Sequence, residues 1–108
     1  MANQLPAGDP VPLDGTLPGS ALAELPERSF SVYLHVPFCR SRCGYCDFNT
    51  YTASELWGMS TGDYLTAALR EIDLAARVLG DGTPEADTVF VGGGTPTMLP
   101  AGELSRLL

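Results

Sequence analysis

Hydrophobic and polar residues alternate along this chain with two different periods, and each change of period marks an element. From Phe30 to Val36 the alternation is strict, with Phe30, Val32, Leu34 and Val36 on one side and Ser31, Tyr33 and His35 on the other. A period of two predicts a β-strand with one apolar face. A strand buried on both faces would be aliphatic throughout, so Tyr33 and His35 are expected to line a cavity or ligand site, with a half-exposed strand as the plainer alternative. Further on the period becomes helical: Leu65, Ala68, Leu69, Ile72, Ala76 and Leu79 form one apolar stripe. Ser60 with Asp63 predicts the N-terminal cap near Ser60 or Thr61, and Gly80 predicts the stop. Asp63, Arg70, Asp73 and Arg77 fall on the outward side as a solvated face, with Asp73 and Arg77 at the favourable i, i+4 spacing.

After the turn residues Asp81-Gly-Thr-Pro84, the β-branched run Asp87–Val91 predicts a second strand that leads into Gly92-Gly-Gly-Thr-Pro-Thr97. Strand, helix and strand make a βαβ unit whose right-handed crossover sets the strands parallel, with both following loops at one edge. Ligands bind at that edge in α/β folds. Residues 101–108 begin another apolar-periodic helix with no stop signal, which predicts the N-terminal piece of a larger protein. Residues 1–29 hold five of the nine prolines and follow neither period. They predict a disordered Pro/Gly-rich leader or a surface-hugging arm, with at most one helical turn at Ala21–Leu25, ahead of an ordered domain over residues 30–108.

Charge changes this picture only by exclusion. A formal net charge of -7 with 6 Lys+Arg leaves no basic stripe for phosphate backbones, which argues against nucleic acid as a partner. The start carries neither a basic segment nor an apolar core segment, and no apolar run reaches membrane-spanning length, so a cytoplasmic protein is expected.

Candidate chemistry lies in the loops after the two strands. Cys39, Cys43 and Cys46 are the only cysteines, spaced C-x₃-C-x₂-C. A four-iron cluster normally takes four thiolates, so a tight group of three suggests one iron open to another ligand. Three thiolates also suit zinc, with His35 or Asp47 as a fourth ligand, although structural zinc sites usually draw on two separated pairs. A disulfide would leave one thiol over. In the second loop, three successive glycines let the backbone approach a ligand and present its NH and carbonyl groups directly. The run is neither a Walker phosphate loop nor a G-x-G-x-x-G fingerprint, so ATP and NAD are poor fits, and a simple turn is the alternative.

Together, Tyr33-Leu-His-Val-Pro-Phe-Cys39, Cys43-Gly-Tyr-Cys-Asp-Phe-Asn49 and Gly92-Gly-Gly-Thr-Pro-Thr97 resemble the radical S-adenosylmethionine (SAM) proteins, over about residues 30–108. Within that family they look most like the HemW-like haem chaperones, long described as coproporphyrinogen III oxidase-like proteins. The resemblance implies an α/β fold, the N-terminal part of a partial (β/α)6 barrel that is TIM-barrel-like, with parallel strands and crossover helices. It implies that Cys39, Cys43 and Cys46 ligate three irons of a [4Fe-4S] cluster while SAM chelates the fourth. Reductive cleavage of SAM would then give methionine and a 5′-deoxyadenosyl radical.

Position by position, Tyr33 is similar to a family tyrosine that contacts SAM, and Gly93 falls in the run that holds its methionyl portion. Tyr45, Gly94 and Thr95 match positions that touch a second SAM in the coproporphyrinogen dehydrogenase relative. No catalytic residue is assigned. That relative carries a further cysteine two positions after the third, where this chain has Phe48. The resemblance therefore favours a chaperone that binds haem, at a site outside this chain, and passes it to an acceptor. Oxygen-independent oxidative decarboxylation of coproporphyrinogen III is the rival activity, and a small zinc-binding interaction module is the rival of another class. The haem acceptor and the electron donor are not specified by these residues, and the chain alone is expected to be inactive.

Overall fold

The computed structural model describes residues 6–56 and 58–108, in the order α1 (Gly19–Glu24), β1 (Ser31–Val36), α2 (Thr61–Leu79), β2 (Thr88–Gly93) and α3 (Ala101–Leu107). The two strands pair in parallel, with Ser31 opposite Thr88 and Val36 opposite Gly93. The predicted βαβ unit is therefore present, and β1 begins within one residue of its expected start.

The apolar side of β1 builds the core. Leu34 and Val36 are buried, together with Phe38 just beyond the strand, and they pack with Leu65 of α2, Leu99 and Leu107 of α3. Removing a side chain of this kind from water contributes about 1.5–3 kcal/mol. Tyr64 joins helix to strand twice over: its ring meets Phe38 edge-on at 5.3 Å, and its hydroxyl donates to the His35 carbonyl at 2.5 Å. Burial raises the Tyr64 pKa, so the hydroxyl stays protonated as that donor.

Local signals set the ends of α2. Ser60 Oγ accepts from the Asp63 amide at 3.1 Å while the Asp63 carboxylate accepts from the Ser60 amide at 2.9 Å, a reciprocal capping box. Gly80 closes the helix at φ +74°. The predicted apolar stripe is buried only in part: Leu65 is buried and Ala68 and Leu69 are half-buried, whereas Ile72 and Ala76 face solvent. Leu79, at the far end of this helix of 19 residues, is again half-buried, but only Tyr64, Leu65, Ala68 and Leu69 of α2 join the core around β1. Asp73 and Arg77 are exposed as expected but do not pair; the ion pairs among the described residues are Arg28 with Glu24 and Arg42 with Glu55.

The second strand is longer than its β-branched run. Gly92 and Gly93 continue β2 opposite His35 and Val36, and the loop begins only at Gly94. Of the leader expected over residues 1–29, residues 1–5 lie outside the described residues. Residues 6–29 are largely exposed, and α1 extends the helical turn expected at Ala21–Leu25 toward Gly19. Gly15 lies against α2, where a Cβ would stand 3.0 Å from Leu74 Cδ2.

Candidate functional site

Both candidate loops leave the same edge of the sheet. Pro37 ends β1, and the chain then runs through the three cysteines before Tyr51 returns to its starting point. Tyr51 N donates to the Pro37 carbonyl at 2.7 Å, and Cys39 N donates to the Tyr51 carbonyl at 3.0 Å. These bonds close the base of the cysteine loop. A tighter turn inside it, with Cys46 N on the Cys43 carbonyl at 3.1 Å, brings the second and third cysteines around.

All three cysteines are free thiols; Cys39 and Cys46 are half-buried and Cys43 is exposed. Cys46 Sγ lies 3.5 Å from Thr50 Oγ1, whose residue is only 3% exposed. That hydroxyl, the Phe48 backbone and, to a smaller extent, the Arg42 guanidinium hold the Cys46 thiol below its ordinary pKa. A lowered pKa favours the thiolate, which is the form that binds metal. No three Cys, His, Asp or Glu side chains are gathered as a ready metal cage among the described residues.

The glycine run meets this loop directly. Gly94 N donates to the Val36 carbonyl at 2.9 Å and Thr95 N to the Phe38 carbonyl at 2.6 Å, tying the second loop to the residues that precede Cys39. A Cβ on Gly94 would stand 2.5 Å from the Phe38 carbonyl oxygen and 2.6 Å from Cys39 Sγ. Gly93 has φ +112°, and a Cβ there would stand 2.6 Å from the Val36 carbonyl oxygen and 3.0 Å from the His35 ring. The first use of these glycines is thus internal, letting strand and loop approach within van der Waals limits. Gly94 and Cys39 are thereby in direct contact.

Tyr33 stands on the open face of the sheet, 55% exposed, stacked on Phe90 at 6.0 Å. Its hydroxyl is 3.0 Å from His35 Nδ1, and His35 Nε2 is 2.7 Å from the Asn49 carbonyl. A carbonyl can only accept, which assigns the hydrogen to Nε2; in the neutral ring Nδ1 then accepts from Tyr33. His35 therefore connects the strand tyrosine to the end of the cysteine loop, a role its place in the alternation did not reveal. Tyr45 is 90% exposed beside the cysteines, and Thr95 is exposed beyond the glycines. The cysteines, Tyr45, Gly93, Gly94 and Thr95 thus lie on the two loops or at the strand end from which they leave, whereas Tyr33 stands three residues before the end of β1, on its open face.

Three soft thiol donors on one loop, with a glycine run packed against the first of them, suit an iron-sulfur cluster with a small polar ligand, so the donor types present fit such a group. The pattern that defines the Radical SAM superfamily matches residues 33–108, and the chain belongs to that superfamily. It is 53% identical over 92 residues to the haem chaperone HemW of Mycobacterium tuberculosis (strain ATCC 25618 / H37Rv), an alignment covering 85% of this chain and 23% of that protein. It is 38% identical over 78 residues to the haem chaperone HemW of Bacillus subtilis (strain 168), covering 72% and 19%. The oxygen-independent coproporphyrinogen III oxidase of Salmonella typhimurium is 35% identical over 88 residues, covering 82% and 18%.

Among solved structures, the coproporphyrinogen III oxidase HemN of Escherichia coli, described as a radical SAM enzyme, superimposes with a TM-score of 0.62 at 33% identity, covering 82% of this chain and 19% of that one. The chain spans about a fifth of the length of these relatives. Its parallel strands and crossover helix are therefore part of a radical SAM barrel of the TIM-like kind. No helix of the described residues is long and apolar enough to cross a membrane.

Proposed function

We propose that this protein is a haem chaperone of the radical SAM type, acting in the cytoplasm. In this reading Cys39, Cys43 and Cys46 hold three irons of a [4Fe-4S] cluster. Tyr33 and the backbone of Gly93 hold SAM at the fourth, with Gly94, Thr95 and Tyr45 at the rim. When bound, cluster and SAM supply one-electron chemistry. The chain's own residues orient and shield: His35 fixes the Tyr33 hydroxyl, Gly94 gives Cys39 room, and Thr50 favours the Cys46 thiolate. Haem is the cargo, at a site outside this chain, and is passed to an acceptor protein.

The observation that carries the haem part is the 53% identity to haem chaperones across 85% of the chain. Phe48 within Asp47-Phe48-Asn49, where the dehydrogenase pattern has a further cysteine, supports the same choice. The rival is oxidative decarboxylation of coproporphyrinogen III, favoured by 35% identity to an enzyme named for that reaction and by the HemN-like fold. The test uses the protein at its full natural length, reconstituted anaerobically. Haem titration should give saturable binding and transfer to an apo-haemoprotein, with no protoporphyrinogen IX formed from coproporphyrinogen III. Turnover of coproporphyrinogen III with consumption of SAM would overturn the chaperone reading.

A further inference from the structure

Two cations lie between the first two cysteines, Arg40, which is exposed, and Arg42, whose contacts the cofactor reading leaves without a role. Arg42 precedes Cys43, and its Nη2 donates to two acceptors at once, the Glu55 carboxylate at 2.6 Å and the Thr50 carbonyl at 2.9 Å. Those acceptors are 8 and 13 residues away, on the far limb of the loop. Each is tied further. Thr50 is buried and its hydroxyl meets Cys46 Sγ, while Glu55 Oε2 also accepts from Thr52 N at 3.1 Å and so caps the short 3-10 turn Ala53–Glu55. One side chain therefore links the second cysteine, the residue that holds the third, and the first turn after the loop.

An isolated surface ion pair contributes little, and both partners here are partly solvated, with side chains 43% and 38% exposed. Two features set this pair apart. A shared donor closes a loop across 13 residues, and the cation sits next to Cys43 in sequence and on the carbonyl of Thr50, whose hydroxyl meets Cys46 Sγ.

We propose that Arg42 is the positioning residue of the cysteine loop, and that the Arg42–Glu55 pair sets the electrostatic environment in which the cluster takes up its electron. The proposal rests on the cluster reading above. Cluster potentials respond to net charge and to hydrogen bonding around the sulfurs, and groups that orient metal ligands affect retention. The pair has an uncommon diagnostic value because its two halves carry opposite charge. Removing either one breaks the same clamp, yet removing the cation disfavours an added electron, while removing the carboxylate leaves the cation uncompensated and favours it.

The experiment compares wild type, Arg42→Gln, Glu55→Gln and Arg42→Lys in the reconstituted full-length protein. Iron and sulfide analysis of the wild type tests the cluster reading by itself: zinc without sulfide would end that reading. Given a cluster, its loss to an external chelator should be about tenfold faster in both Gln variants, as for other groups that orient metal ligands. The reduction midpoint, followed by EPR, should move to more negative potential in Arg42→Gln and to more positive potential in Glu55→Gln. Arg42→Lys keeps the charge but loses the planar fork, so its midpoint should stay near wild type while retention falls. Midpoints that shift in the same direction in the two Gln variants, or do not shift, would overturn the proposal. Because Glu55→Gln leaves every residue between the cysteines unchanged, it remains decisive even where Arg42→Gln does not fold.

Discussion

A single methyl group at Gly94 tests how tightly the two loops are joined. The Cβ of Gly94→Ala would stand 2.5 Å from the Phe38 carbonyl oxygen and 2.6 Å from Cys39 Sγ, where ordinary contact begins at 3.4 Å. Relief therefore requires a shift of about 0.9 Å between the glycine loop and the Phe38–Cys39 peptide. Backbone and a loop-closed cysteine give way less readily than the tip of a flexible side chain. The Thr95 N to Phe38 O hydrogen bond, 2.6 Å long, crosses the same gap and would be drawn out to the limit of such bonds. Overpacking costs about 1–3 kcal/mol and the lost bond about 0.5–1.5, so roughly 1.5–4.5 kcal/mol of destabilisation is expected.

Chemical denaturation of the full-length protein measures the stability loss, and iron content measures the consequence at Cys39. Gly44→Ala is the matched control, since Gly44 sits between Cys43 and Tyr45 with no atom within 4 Å of a Cβ. It should stay within about 0.5 kcal/mol of wild type. If Gly94→Ala matched that control in stability and iron content, the close approach of the two loops would be refuted.

Tyr64→Phe keeps the edge-on contact with Phe38 but removes the donor to the His35 carbonyl; a loss of about 0.5–1.5 kcal/mol in denaturant unfolding is expected, and no loss would mean water replaces the hydroxyl. Ser60→Ala removes the cap of α2 and should cost about 1 kcal/mol, read from the same unfolding curves. The Asp63 carboxyl is held below its usual 3.8 by hydrogen bonds from the Ser60 amide and hydroxyl. Its contribution is therefore complete above its unfolded pKa of about 4 and is lost as pH falls through the lower folded value. Helical CD should show α2 weakening below that window in wild type and less pH dependence in Asp63→Asn. Cys39→Ala, Cys43→Ala and Cys46→Ala should each abolish cluster retention, because the chain holds no spare thiol; full iron content in any one of them would contradict the ligand set.

Features governed by neighbours in sequence were legible before the structure. The alternation in β1, the capping box of Ser60 with Asp63 and the stop at Gly80 depend on residues within a turn of each other, and all three are present. Their geometry also sends both loops to one edge, because parallel pairing follows from a strand, a crossover helix and a strand. The continuation of β2 through Gly92 and Gly93 was not legible, since glycine offers no side-chain pattern to read.

Contacts that span longer stretches were likewise hidden. Tyr64 reaches the His35 carbonyl across 29 residues, His35 reaches Asn49 across 14, and Arg42 reaches Glu55 across 13. No local period encodes those pairs. Asp73 and Arg77 lie on the solvated face that the pattern predicts, and although their spacing suits an ion pair they form none, because solvated side chains gain little from holding one geometry. Type and order thus nominate the candidate site residues, whereas the groups that brace them were visible only in three dimensions.

The central claim, a three-cysteine cluster whose open iron takes SAM, is tested most directly by EPR of the reduced, anaerobically reconstituted full-length protein with and without SAM. The account predicts a [4Fe-4S] signal, from a protein with about four irons per chain, whose shape changes when SAM is added. Stoichiometric zinc with no sulfide, or a cluster signal that SAM leaves unaltered, would contradict it.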